Sequence, residues 1–204
     1  MEDRVVILGL DPGTTESAIV ALEAGGVVGM HDKLPNDGLL VRLRSYCDAG
    51  HDLLAIEDIA SMGMAVGREI FQTVKWIGRF QEAWERRGGT VRLIYRREVK
   101  LFLCESSKAN DSNIRAAIID RYGGQAAAVG VKKSPGPLYG IKADRWSALA
   151  VALTAEGKPA PATPLILGPK PLNANHEFVG GYEIDSGNPE LCQVCGKRHE
   201  DLPL

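Results

Sequence analysis

The stretch that constrains this chain most is "VVILGLDPGTTESAIVAL", residues 5–22. An apolar run ends in Asp11, Pro12-Gly13 turns the chain at once, and a second apolar run follows Thr14-Thr15. Short apolar runs bounded by turn residues read as buried strands. An acid at the end of such a strand stands at the rim of a sheet, within reach of solvent and ligand. Two uses fit that place. Asp11 can hold a metal ion that works on a phosphodiester, or the Gly-Thr-Thr can cradle the phosphates of a nucleotide.

The rest of the chain narrows the architecture. Strands are expected over 4–11, 16–22 and 26–30, with Gly25-Gly26 as the hairpin turn between the last two. "NDGLLVRLRSYC" (36–47) has an Asn/Asp start and helical spacing at Leu39, Leu40, Leu43 and Cys47. "LLAIE" (53–57) is a short strand that ends in Glu57, as the first ends in Asp11. A long helix over about 66–86 carries Val66, Ile70, Phe71, Val74, Ile77, Phe80 and Trp84, with Trp76 at the margin. That apolar surface is wider than the ~100° stripe of a one-sided helix, so one side is expected on the sheet and the other against a second copy of the chain. Gly88-Gly89 ends it. A strand (90–95), helices over 97–104 and 111–123, a loop (132–140) and an alanine-rich helix (142–157) follow. The order implies an α/β domain, a mixed sheet with helices on its faces.

At residue 158 the composition changes: Pro159, Pro161, Pro164, Pro169 and Pro171 make a stiff, extended segment. The expected division is a domain over 1–157 and a Pro-rich tail over 158–204. The 204 residues suit one such domain with an appendage. No run approaches the ~18 apolar residues of a membrane span, and "MEDR" does not open a signal peptide, so a soluble, cytoplasmic protein without a membrane partner is expected. Four irregularly spaced cysteines do not make a disulfide framework. The net charge is −2, yet residues 75–100 hold eight Lys/Arg against three acids. A second basic cluster is Lys132, Lys133, Lys142 and Arg145. Each cluster reads as a solvated face or as a phosphate-contacting surface.

Three acids stand at element ends: Asp11, Glu57 and Asp144, the last in the first turn of the final long helix. With the first and fourth strands as neighbours, Asp11 and Glu57 project side by side and Asp144 completes the group from the covering helix. Clustered carboxylates repel one another unless a cation intervenes. Their oxygens suit Mg²⁺ or Mn²⁺, and two such ions can activate a water and stabilise a leaving oxygen in phosphoryl displacement. Taken singly, each acid could equally cap a turn, join a salt bridge or cap a helix. Asp58, next to Glu57 on a strand, points to the opposite face.

"ILGLDPGTT", "LLAIEDIA" and "KADRWSALAVAL", in that order, resemble the RuvC family of Holliday junction resolvases, bacterial or phage type, with the RNase H-like fold. The resemblance covers about residues 4–155 and takes in "YRREVKLFL" with the helix after it. It implies a metal-dependent, structure-selective endonuclease that works as a homodimer on four-way or other branched DNA, without a nucleotide cofactor. Residue by residue it implies Asp11, Glu57 and Asp144 as catalytic metal ligands. The family's usual fourth acid falls at Ser147, which is a catalytic candidate as a weaker, neutral ligand. Asp111 stands where the family often has a lysine. Arg96, Arg97, Lys100, Lys132, Lys133, Lys142 and Arg145 become candidate DNA contacts, with a salt-dependent affinity. Met62 and Met64, in the loop after Glu57, read either as wedges for the junction or as core.

In the tail, Cys192-x-x-Cys195 followed by His199 has the start of a zinc-knuckle pattern, with His176, Asp201 or a second subunit open as the remaining ligand. The rival readings come from other classes. Actin-like ATPases share the core and an Asp-x-Gly-Thr-Thr opening, but the chain after 157 is too short for their second domain and "AIEDIAS" does not resemble their second phosphate loop. A binding-only junction protein is favoured by Ser147. A nuclease for flaps or RNA–DNA hybrids keeps the same chemistry.

Overall fold

The computed structural model of the protein describes residues 5–46, 52–60 and 67–157. Strands β1 (Ile7–Asp11), β2 (Glu16–Glu23), β3 (Val27–Pro35), β4 (Leu53–Asp58) and β5 (Thr90–Tyr95) form one sheet in the order β3-β2-β1-β4-β5. The first three are an antiparallel meander, and β4 and β5 run parallel to β1. The helices are α1 (Asn36–Arg44), α2 (Arg68–Glu85), α3 (Arg96–Cys104), α4 (Asp111–Arg121), the single turn α5 (Gln125–Ala128) and α6 (Arg145–Glu156).

The two-residue period of the strands sorts their side chains into two cores. Leu8, Leu10, Ile19, Leu54 and Ile56 pack with Leu39 and Leu43 of α1 and with Ile77, Phe80 and Trp84 of α2. Ala18, Val20, Leu22, Ala55 and Ile94 pack on the other face with α6, Val99 of α3 and Ile114 and Ile118 of α4. α6 is buried almost all round, from Ala148 to Ala155, and its alanines let it lie close across β1 and β2.

Several elements differ from the sequence reading. β3 continues to Pro35 instead of ending at 30, because its outer half alternates weakly and carries His31, Asp32 and Lys33. A β-bulge interrupts its pairing with β2: Val20 opposes His31, whereas Leu22 opposes Val28, so Gly29 and Met30 share the space opposite Ala21. A two-strand hairpin, β6 (Gly130–Val131) and β7 (Ser134–Pro135), lies where the sequence reads as a loop. On α2 the inner side is buried as expected. Trp76 is half-buried, stacked on Phe80 with ring centroids 5.6 Å apart and covered by the Arg79 guanidinium at 3.9 Å. Ile70, Phe71 and Val74, by contrast, are 37%, 57% and 45% exposed. The second apolar side of α2 is thus open in the single chain. Among the described residues no helix is long and apolar enough to cross a membrane.

Candidate active site

Strand parity brings the acids to one place. Gly9 faces α6, where a Cβ on it would meet Ala148 and Ala152, so Asp11, two residues on, faces the same side. Ala55 belongs to the α6 core and Glu57 is two residues beyond it. Leu10 pairs with Ile56 in the parallel register, so Asp11 and Glu57 stand one step further along neighbouring strands. Asp58 takes the opposite parity, with its carboxylate accepting the Ile59 N–H at 2.8 Å.

Asp144 comes from α6. It occupies the N-cap position, one residue before the first turn where the sequence reading placed it, and its carboxylate makes no capping bond. Ala143 before it has φ 47°, a left-handed conformation that costs a residue with a side chain ~1–2 kcal/mol. The turn that aims Asp144 is therefore strained.

The site's electrostatics show how tightly these groups are coupled. Burial, then the charges of Glu57 and Asp144, push the Asp11 carboxyl up to about 7, while Arg96 and a hydrogen bond from the Ser147 hydroxyl pull the other way. Burial raises Glu57, with Arg96 opposing and Asp111 adding to the rise. Two cations sit among the acids. Arg96 Nη1 lies 3.4 Å from Glu57 Oε2, and its other terminal nitrogen holds the Asp111 carboxylate. Lys33 Nζ lies 2.7 Å from Asp144 Oδ2 and 3.8 Å from Glu16 Oε2. With Glu57 and Asp144 turned to these partners, no three carboxylate, imidazole or thiol groups among the described residues close into a ready-made metal cage.

The turn after Asp11 is braced from beneath. Buried Asn36 donates through Nδ2 to the Gly13 carbonyl at 2.9 Å and accepts the Ser17 hydroxyl at Oδ1, 2.7 Å. The Gly13 N–H in turn donates to Ser17 Oγ at 3.2 Å. Asn36 reads in the sequence as a helix start, yet the N-cap of α1 is Pro35 and the Asn36 side chain serves the turn instead. Asn36→Ala leaves the buried Ser17 hydroxyl and the Gly13 carbonyl short of partners. It is expected to cost about 1–2 kcal/mol, read in a denaturant melt.

The basic residues divide. Arg96 is turned inward and paired with Glu57 and Asp111. Lys100 is half-buried, and its charge acts on Glu57. Arg97, Lys132, Lys133 and Lys142 are exposed, the middle two at the turn of the β6–β7 hairpin. Arg145 is half-buried, with Nη1 3.4 Å from His31 Nδ1. An open cleft of about 330 Å³ is lined by Arg96, Asp111, Arg115, Asp144 and Ser147, among others. Arg115, over the Trp146 ring at 5.0 Å, looks in the sequence like any exposed helix residue. Lys33 falls outside the strand that the sequence predicts over 26–30; with β3 extended to Pro35, it stands opposite Ala18, itself opposite Asp11. Met62, Met64 and the tail residues Cys192, Cys195 and His199, with His176 and Asp201, lie outside the described residues.

Among solved structures the chain is similar to RuvC of Thermus thermophilus, with 19% identity and a TM-score of 0.51 over 74% of this chain and 93% of that one. T. thermophilus RuvC in complex with a Holliday junction substrate is similar at 19% identity and a TM-score of 0.52, over 74% and 92% of the two chains. The fold is RuvC-like. Its five-strand mixed sheet, flanked by helices, is of the RNase H-like α/β kind. No protein-family model matches the sequence, and no curated protein matches it.

The residues gathered at this site fit a divalent metal. Asp11, Glu57, Asp144 and Ser147 offer hard oxygen donors of the sort Mg²⁺ and Mn²⁺ take. The Asp11 carboxyl, raised by burial and then by its acidic neighbours, is a group that a cation would relieve.

Proposed function

We propose that this chain is a divalent-metal-dependent endonuclease that hydrolyses phosphodiesters in branched DNA, four-way junctions foremost. The observation that carries the reading is the convergence of Asp11, Glu57 and Asp144 at one end of a RuvC-like sheet, close enough for the last two to raise the Asp11 carboxyl. These three would hold Mg²⁺ or Mn²⁺, which when bound supplies an activated water and positive charge at the phosphodiester. The protein's own groups do the rest. Ser147 donates to Asp11 and orients it. Arg96 fixes Glu57 and keeps positive charge beside it. Arg97, Lys100, Lys132, Lys133, Lys142, Arg115 and Arg145 offer phosphate contacts, which makes binding weaken with salt.

The substrate reading draws on the neighbour solved with a Holliday junction. Two symmetric cuts need two sites, and the open Ile70, Phe71 and Val74 of α2 are the surface on which we place a homodimer. The Pro-rich tail is read as a tether for a small zinc-binding module at Cys192, Cys195 and His199.

The test is cleavage of a labelled four-way junction, beside duplex, flap and RNA–DNA hybrid, in Mg²⁺, Mn²⁺ or EDTA. Paired nicks in the junction, lost in EDTA, are the expected result. Cutting of flap or hybrid alone would keep the chemistry and change the substrate. Tight binding without nicks in any metal would favour a binding-only protein, the reading to which the Lys33 and Arg96 ion pairs on the acids lend support.

A further inference from the structure

We infer that Lys33 is the second cation of this active site: its ammonium holds the Asp144 side, where a second divalent ion would otherwise bind, so the chain works with one divalent ion. The inference rests on the nuclease reading above and names a residue that the sequence did not offer.

Two features of the site require an explanation. The first is Ser147, one helical turn beyond Asp144 on α6. A hydroxyl there brings no negative charge and is a weaker ligand for a divalent ion than a carboxylate. The second is Lys33, whose Nζ is 2.7 Å from Asp144 Oδ2 and 3.8 Å from Glu16 Oε2. The ion pair fits an Asp144 side that has a hydroxyl and no second acid one turn on. A site with fewer negative charges needs less positive charge, and a monovalent ammonium provides it.

Lys33 is not a passing surface lysine. Asp11 pairs with Ala18 across β1 and β2, and Ala18 pairs with Lys33 across β2 and β3. The three residues form one row across the sheet, and Ala18 is buried in the α6 core. Residues in one such row share a face. Lys33 therefore leaves the backbone on the same side as Asp11 and reaches the start of α6 over the methyl of Ala18, a residue too small to block it. Its side chain is 35% exposed, open enough to meet a phosphate. Hydrogen bonding to Asp144, that residue's charge, and those of Glu16 and Asp11 favour its protonated form.

An ammonium and a divalent ion on the same carboxylate oxygen repel each other. Lys33 thus competes with a second ion at the Asp144 oxygen it holds, whereas Asp11 and Glu57 lie beyond its ion pairs and keep the first. During hydrolysis the ammonium would place a fixed positive charge beside the oxygen on which negative charge develops, without any exchange of protons or electrons.

The experiment counts Mn²⁺ bound to the full chain, by electron paramagnetic resonance of free ion at rising Mn²⁺. The Asp11→Asn protein is the blank for sites elsewhere. Wild type is expected to take up one active-site ion, Lys33→Met a second, and Lys33→Arg again one. In cleavage assays the dependence of rate on Mn²⁺ steepens from first order towards second in Lys33→Met alone. Two active-site ions in wild type, or an unchanged count in Lys33→Met that melts like wild type, would overturn the role of Lys33 and leave the nuclease reading standing. No active-site ion in wild type would overturn both.

Discussion

On the proposed nuclease function, Asp11→Asn protein is expected to bind a four-way junction as wild type does, to cut it at less than about a thousandth of the wild-type rate, and, metal-free at pH 8, to melt at a higher temperature than wild type. The first two results follow from its place as a ligand. The change removes one charge from the acid group and leaves every basic residue intact. The third follows from the cost of ionising Asp11 in the fold. Its carboxyl is raised from 3.8 to about 7, by burial first and then by Glu57 and Asp144. Between those two values the folded chain keeps a proton that the unfolded chain has released. Stability therefore falls as pH climbs through that window and stays lowered above it. The size is on the order of a few kcal/mol at ~1.4 kcal/mol per pH unit. Asparagine cannot ionise, so the variant escapes this fall. Melting in EDTA at pH 5 and pH 8 checks it: at pH 5, inside the window, roughly a third of the fall is present, so the gap between the two proteins should widen from pH 5 to pH 8. Mn²⁺ should raise the melting temperature of wild type and leave the variant where it is. A variant that melts below wild type at pH 8 would mean that Asp11 stabilises the fold through contacts, not that it strains it.

Gly9→Ala is expected to destabilise the fold by about 3 kcal/mol and to slow cleavage roughly 100-fold where the protein remains folded. Gly9 lies in β1 beneath α6. A Cβ there would stand 2.8 Å from the Cβ of Ala152 and nearer still to the carbonyl oxygen of Ala148. Backbone cannot step aside as a long side chain does, so α6 must lift from the sheet. Asp144 is carried at the head of that helix and Asp11 two residues beyond Gly9, so the same lift parts two of the three acids. A denaturant melt gives the first quantity and single-turnover cleavage the second. Wild-type stability would show that α6 has slack on β1 and that the closeness of the two is not what sets the site.

Much of this was readable in the chain because the signals were local. The acid at the end of β1, the second at the end of the 53–58 strand, and the alanine-rich helix after Asp144 need only a strand period and a turn to be placed. What stayed hidden depends on contacts between distant segments. Asn36 carries a helix-start signature, and only the fold shows its amide under the Gly13 carbonyl. Asp111 looks like the cap of α4, but Asn110 and Asn113 cap one another there and free Asp111 for Arg96. Arg96 reads as a surface cation from its basic neighbours, and it is the acids across the site that draw it in. Lys33 lies where β3 turns polar and its hydrophobic alternation fades, so the pairing with β2, not its own sequence, reveals that it is in the sheet at all.

That pairing has a further consequence through the bulge opposite Ala21. The extra residue on β3 works as an expansion joint between the two ends of the hairpin. Towards the turn at 24–26, Val28 keeps step with Leu22; towards the acids, Lys33 keeps step with Ala18. Lengthening or trimming the turn end can be absorbed at Gly29 and Met30 without moving Lys33 to the wrong face of the sheet. The tip of this hairpin is free to drift in evolution or under an engineer's hand, while the row that runs from Lys33 to Asp11 stays in alignment.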